Sequence, residues 1–254
     1  MNRLRRSLKR VVLLLSLLVL TSCSTDNVLQ KEKAQNMRDL GEGYLGEGNV
    51  TAALTEFLKA EKLYDKDPFL HYDLGLAYFA KQELQLAIVH FNKAIALKPA
   101  YPEAYNALGT VYLRTEQWDD AIVNFEKARS NILYATPYIA LNNLGEAYRG
   151  KKEFELAFDF YKSALEENPR FPNAHRGLGL VLLDMGIPDA AVASLEKAVE
   201  YDPGYVPALY DLGRAYAALY EPEKALAAFK KVVVLEPTSP LADRARAEIK
   251  KLRQ

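Results

Sequence analysis

PFLHYDLGLAYFAKQELQLAIVHFNKAIALKPAY, residues 68–101, holds the pattern that decides the fold. His71, Leu74, Gly75 and Tyr78 share one face of a first helix, and Ala87, Phe91 and Ala94 share one face of a second, because residues three and four apart stack along a helix. The two faces are built to pack on each other. Glycine inside a helix costs about 1 kcal/mol against alanine, so Gly75 makes sense only where a neighbouring helix comes close. The same arrangement recurs along the chain. Glycines at 41, 75, 109, 145, 179 and 213 stand 34, 34, 36, 34 and 34 residues apart, each preceded by leucine. Twelve residues after each comes an alanine (Ala53, Ala87, Ala121, Ala157, Ala191, Ala225), and four further on Phe57, Phe91, Phe125, Tyr161, Leu195 and Phe229.

This pattern resembles the tetratricopeptide repeat, a 34-residue helix-turn-helix unit. The expected fold is all-α, a right-handed superhelical solenoid of six such repeats with a concave groove and no strands, since each repeat buries its core mainly against its neighbours. The repeats are expected at 34–67, 68–101, 102–135, 138–171, 172–205 and 206–239, with Thr136 and Pro137 as a two-residue insertion. Residues 240–254 place Leu241, Ala245, Ile249 and Leu252 on one helical face, as a capping helix over the last repeat should.

The 254 residues carry 33 basic and 33 acidic side chains. A chain without net charge offers no bulk positive field for nucleic acid, so no nucleic-acid partner is expected. The balance conceals a basic start: Arg3, Arg5, Arg6, Lys9 and Arg10 precede the apolar run Val11–Leu20, ten residues long. Such a run is too short for a bilayer, which needs about 20 residues, and reads with its basic flank as a signal peptide over residues 1–22. Leu20, Thr21, Ser22 and Cys23, which include the only cysteine, look like a bacterial lipobox. The resemblance implies lipidation of Cys23 and cleavage before it, against the alternative of an ordinary signal peptide. Two or more acyl chains anchor stably where one does not. Ser24 points to the periplasmic face of the outer membrane rather than the inner membrane. Residues 23–33 then form the lipidated cysteine and a tether; ten extended residues reach at most about 36 Å.

Catalytic chemistry is not expected. There is no H-E-x-x-H, no Walker loop and no nucleophile elbow, and the Leu-Gly pairs sit inside helices. His71, His90 and His175 fall at repeat positions 4, 23 and 4, where packing residues are needed, so no metal site and no cofactor beyond the lipid on Cys23 is expected.

Function should lie on the face that packing leaves over. Positions 2, 5, 9 and 12 of each repeat line the first helix's opposite side, where polar residues are expected if nothing binds. The second repeat instead carries Phe69, Tyr72, Leu76 and Phe79, followed in the third by Asn106, Thr110 and Leu113 with Arg114 beside them. Such a stripe suits a peptide or a helix in a groove, or it is buried between successive repeats. The fourth repeat keeps polar residues on that face, Asn142, Glu146 and Arg149, and a second cluster is Arg176, Leu180 and Leu183 with Tyr210 and Arg214; Asn142 and Arg149 are counted with these among the groove residues. The two-carboxylate clamp of chaperone-binding relatives is not reproduced, because Arg38 and Glu42 occupy its lysine and asparagine positions.

Lipobox, tether and six repeats together resemble the type IV pilus biogenesis lipoproteins known as pilotins or pilus-stability proteins. The lengthened junction NILYATPYIALNN at 131–143 is the most particular feature shared with them. The resemblance implies a protein or peptide client, such as a secretin subunit, bound by an assembly or localisation factor held at the membrane by its lipid. The alternative is a periplasmic scaffold for cell-wall enzymes or another envelope complex.

Overall fold

The computed structural model describes residues 27–132 and 134–253. The signal peptide and Cys23 lie outside the described residues. Among the described residues all regular structure is helical and no strand occurs. Helix α1 covers residues 27–46 and pairs with α2 (Val50–Leu63). The following hairpins are α3 (Pro68–Ala80) with α4 (Leu84–Leu97), α5 (Pro102–Arg114) with α6 (Trp118–Arg129), α7 (Pro137–Gly150) with α8 (Phe154–Glu167), α9 (Pro172–Asp184) with α10 (Pro188–Tyr201), and α11 (Val206–Ala218) with α12 (Pro222–Leu235). Helix α13 (Pro240–Lys251) ends the series. No described helix is long and apolar enough to cross a membrane.

Local chemistry sets the helix starts. Proline is the first residue of α3, α5, α7, α9, α10, α12 and α13, where its missing N–H removes no helical bond. Asp67 caps α3 by accepting from the Phe69 N–H at 2.9 Å, and Ser239 caps α13 by accepting from the Ala242 N–H at 3.1 Å. The turn inside each hairpin places the fifteenth repeat residue at positive φ. These are Gly48, Gln82, Glu116, Lys152, Gly186 and Tyr220, with φ between 57° and 78°.

The chain divides into two compact units, one up to Ala104 and the other from Tyr105. In the first, Ala53, Phe57 and Ala60 from α2 pack with Leu70, Leu74 and Ala77 from α3, and Tyr101 closes on Ala94 and Ala104. Residues 27–33, expected as tether, are helical instead, and Ala34 on the same helix is buried in this core.

In the second unit the same positions repeat the packing. Ala121 and Phe125 meet Leu144 and Ala147; Ala157 and Tyr161 meet Val181; Ala191 and Leu195 join Leu209, Phe229 and Val232. The junction before α7 is anchored by Tyr134, buried against Ala128 and Ala140. Leu241, Ile249 and Leu252 pack around Ala245 on the last hairpin, so α13 covers that core as its apolar stripe requires. First helices of successive hairpins also touch, α7 with α9 and α9 with α11.

Candidate functional site

In the first unit the anticipated apolar stripe is largely used for packing. The Tyr72 ring lies 5.9 Å from that of Phe91 and 5.2 Å from that of Tyr101, centroid to centroid, and Phe69 meets Tyr101 edge-on at 5.5 Å. Tyr101 is the last residue of the same 34-residue unit, so the stripe is partly closed by its own repeat. Phe69 keeps its outer face exposed between two cations, Lys98 Nζ at 4.5 Å and the Arg38 guanidinium at 5.5 Å from the ring centre. Leu76 and Phe79 are half-buried.

Arg38 is the centre of a charged knot beside that ring. Its Nη1 donates to Asp67 Oδ2 at 2.8 Å, while Nε lies 3.0 Å from Glu42 Oε1 and 3.8 Å from Asp73 Oδ2. Burial and the neighbouring Glu42 carboxylate push the Asp73 carboxyl up to about 8, against the opposing pull of Arg38.

The second unit carries a polar groove of about 240 Å³, lined by Asn142, Asn143, Glu146 and Arg149 from α7, Tyr161 from α8, Asn173, Arg176, Gly177 and Leu180 from α9, and Tyr205. Two of its amides, Asn142 and Asn143, continue a chain that begins at Asn106 on α5. Asn143 Nδ2 donates to Asn106 Oδ1 at 3.1 Å, and Asn142 Nδ2 donates to Asn143 Oδ1 at 3.2 Å. The chain stops there, because Asn142 Oδ1 is buried without a hydrogen-bond partner. Each arginine is held from the next repeat: Arg149 Nε donates to Asp184 Oδ2 at 2.6 Å, and Arg176 Nε donates to Asp211 Oδ2 at 2.7 Å. Arg214 Nη1 donates to the other Asp211 oxygen at 3.2 Å. The groove thus offers a free acceptor, fixed guanidinium groups and a phenol, which suits hydrogen bonding to a polar chain.

The structure brings together Asn142, Arg149, Arg176 and Leu180 of the residues expected from sequence. Leu180 is only 8% exposed and forms floor rather than rim. Tyr210 turns toward the core, its ring 5.5 Å from that of Phe229. Leu113 packs on the cluster of Ala121, Phe125 and Leu144, and Thr110 Oγ1 donates back to the Asn106 carbonyl at 2.9 Å. Arg114 is exposed. Phe69, Tyr72, Leu76 and Phe79 belong to the first unit and Asn106 to Arg114 to the second, so each set is placed within its own unit. Asn143 and Tyr205 were missed because positions 6 and 34 of the repeat lie outside the face taken as the groove.

Family comparisons agree with this architecture. A family described as TPR repeat matches residues 75–116, and two described as Tetratricopeptide repeat match 101–166 and 182–249. The structure of PilW, described as a widely conserved type IV pilus biogenesis factor, superposes with a TM-score of 0.76 at 22% identity, covering 83% of this chain and 97% of that one. The Pseudomonas aeruginosa pilF protein superposes with a TM-score of 0.72 at 20% identity, covering 86% and 99%. Among curated sequences, the Protein CTR9 homolog of Arabidopsis thaliana is 34% identical over 99 residues, which is 37% of this chain and 9% of that protein. At these identities the structural likeness is one of fold: an all-α tetratricopeptide-repeat solenoid.

Proposed function

This chain is a tetratricopeptide-repeat protein, a scaffold for protein–protein interaction, and on that premise we propose that it is an outer-membrane-anchored assembly and localisation factor for a type IV pilus secretin. The observation that carries the binding part is Asn142 Oδ1, a buried acceptor left open in the polar groove. A buried acceptor without a partner is costly, and a backbone N–H of an extended client segment supplies what it lacks. Arg149 and Arg176 flank it, held in place by Asp184 and Asp211, and suit a carboxylate or carbonyl on the same segment.

The membrane part rests on Leu20-Thr21-Ser22-Cys23 and on fold likeness spanning nearly the whole of PilW and of the pilF protein. Residue 27 is already helical, four positions after Cys23. A helix rises about 1.5 Å per residue, so residues 27–33 reach about 10 Å instead of the roughly 25 Å of an extended tether. The scaffold therefore works close to the lipid surface, where a client inserting into that membrane is within reach.

Deleting the gene is expected to leave secretin monomers in place of heat-resistant multimers and to abolish surface pili, and a Cys23→Ala version is expected to restore neither fully. Normal secretin rings and pili in the deletion strain, together with disturbed cell-wall remodelling, would replace this reading with the cell-wall scaffold.

A further inference from the structure

The first unit brings two histidines at packing positions of the repeat together with a carboxylate. His71 on α3 and His90 on α4 are 19 residues apart, and the hairpin folds them face to face with Nδ1 atoms 3.1 Å apart. Glu61 on α2 brings Oε1 to 3.9 Å from His71 Nδ1, and one ligand atom from each of the three lies within 4.8 Å of the others.

The tautomer of His71 is set by its other ring nitrogen. Nε2 lies 2.8 Å from the Asp65 carbonyl oxygen, which only accepts, so Nε2 carries the proton and Nδ1 presents a lone pair. A second-nitrogen bond to a backbone carbonyl is the arrangement that orients metal-binding histidines. The His90 ring is held in place by stacking on Tyr78, 5.3 Å between centroids.

We infer that Glu61, His71 and His90 form a binding site for a divalent transition-metal ion, with zinc the best match to two imidazoles and a carboxylate. Zinc bonds nitrogen at about 2.0–2.1 Å, so two ligand nitrogens in a tetrahedral site stand about 3.3–3.4 Å apart. The Nδ1 atoms already stand 3.1 Å apart, and the Glu61 carboxylate oxygen, 3.9 Å from His71 Nδ1 and within 4.8 Å of the His90 ligand atom, has to move in toward both. Binding asks one rearrangement of His90: the proton that Nδ1 donates to His71 moves to Nε2, which frees the second lone pair. Lys93 Nζ lies 3.8 Å from Glu61 Oε1 and 3.6 Å from Asp65 Oδ2, and is the cation that the metal displaces. Glu61 is partly exposed and provides the way in from solvent. An occupied site ties α2, α3 and α4 together and leaves one coordination position for water.

The test uses tag-free protein, titrated with zinc by calorimetry and with cobalt by its visible absorption. One equivalent should bind, with the cobalt band of a nitrogen and oxygen site and a rise in melting temperature. His90→Gln and Glu61→Gln should each weaken zinc tenfold or more, Lys93→Gln should tighten it, and His175→Gln should leave it unchanged. Circular dichroism confirms folding, and Glu61→Gln, at a partly exposed carboxylate, decides the matter if a histidine variant unfolds. Absence of one-equivalent binding at tens of micromolar zinc, or equal binding by wild type and the Glu61→Gln variant, overturns the proposal and leaves the histidines as a packing pair.

Discussion

The edge of the Phe125 ring occupies the place that a side chain on Gly109 would need: a Cβ there would stand 2.6 Å from Phe125 Cε1. Both lie in the second unit, the glycine within α5 and the ring on α6. Alanine would gain about 1 kcal/mol of helix propensity, yet forcing a methyl group into a packed ring contact costs about 1–3 kcal/mol. Gly109→Ala is therefore expected to destabilise the protein, read as a lower urea midpoint with helical content retained. Equal or higher stability would show that Phe125 is free to move aside.

Asp73 gives a pH dependence with a definite sign. Its carboxyl is raised to about 8 from the ordinary value of 3.8, so the folded chain holds a proton that the unfolded chain has already released. Stability from this group is full below about 4 and is lost as pH rises toward 8. Asp73→Asn should flatten that loss: the variant's melting temperature should exceed wild type at pH 8.5 by more than it does at pH 4. A gap independent of pH would refute the assignment.

For Tyr72 the sequence allows either a client contact or burial between repeats, and its packing on Phe91 and Tyr101 gives it a structural task. Tyr72→Ala should cost about 2 kcal/mol or more through the cavity it leaves. Phe69→Ala, at an exposed ring, should cost well under half as much. Chemical denaturation of the two variants side by side distinguishes packing from surface contact.

Asn142→Ala removes the open acceptor of the polar groove while sacrificing only the bond to Asn143. Client affinity should fall roughly tenfold, the worth of one hydrogen bond in a desolvated site, with the melting temperature changed by a few degrees at most. Binding of purified secretin subunit to wild type and variant, followed by calorimetry, measures the difference. Unchanged affinity would move the client to another face.

Much of the architecture was written in a single repeat. The spacing of Gly75, Ala87 and Phe91 sets two helices, their facing sides and their crossing, and the same register places the buried alanines and rings of the other hairpins. The histidine pair was not legible, because positions 4 and 23 of a repeat meet only once the hairpin is closed. The groove was legible in part. Asn142, Arg149 and Arg176 follow from helical periodicity, whereas Tyr205 comes from the segment before α11. Periodicity left open whether the apolar stripe faces a client or is buried, because it counts faces within one helix. Tyr101, at the end of the same repeat, folds back to cover Tyr72.

The turns inside the hairpins carry a consequence for how the protein can be measured. Gln82, Glu116, Lys152 and Tyr220 hold left-handed backbone at equivalent places, φ 57–64°, where a Cβ costs roughly 1 kcal/mol. Replacing any one of them by glycine applies nearly the same small push at a known address, since Gly48 and Gly186 already occupy the matching turns. In a chain whose stability is a sum over neighbouring repeats, the response to equal pushes need not be equal. Four such variants therefore act as a ruler laid along the sequence. The hairpin whose glycine raises the unfolding midpoint most is the weakest link, and the one that raises it least unfolds after the others.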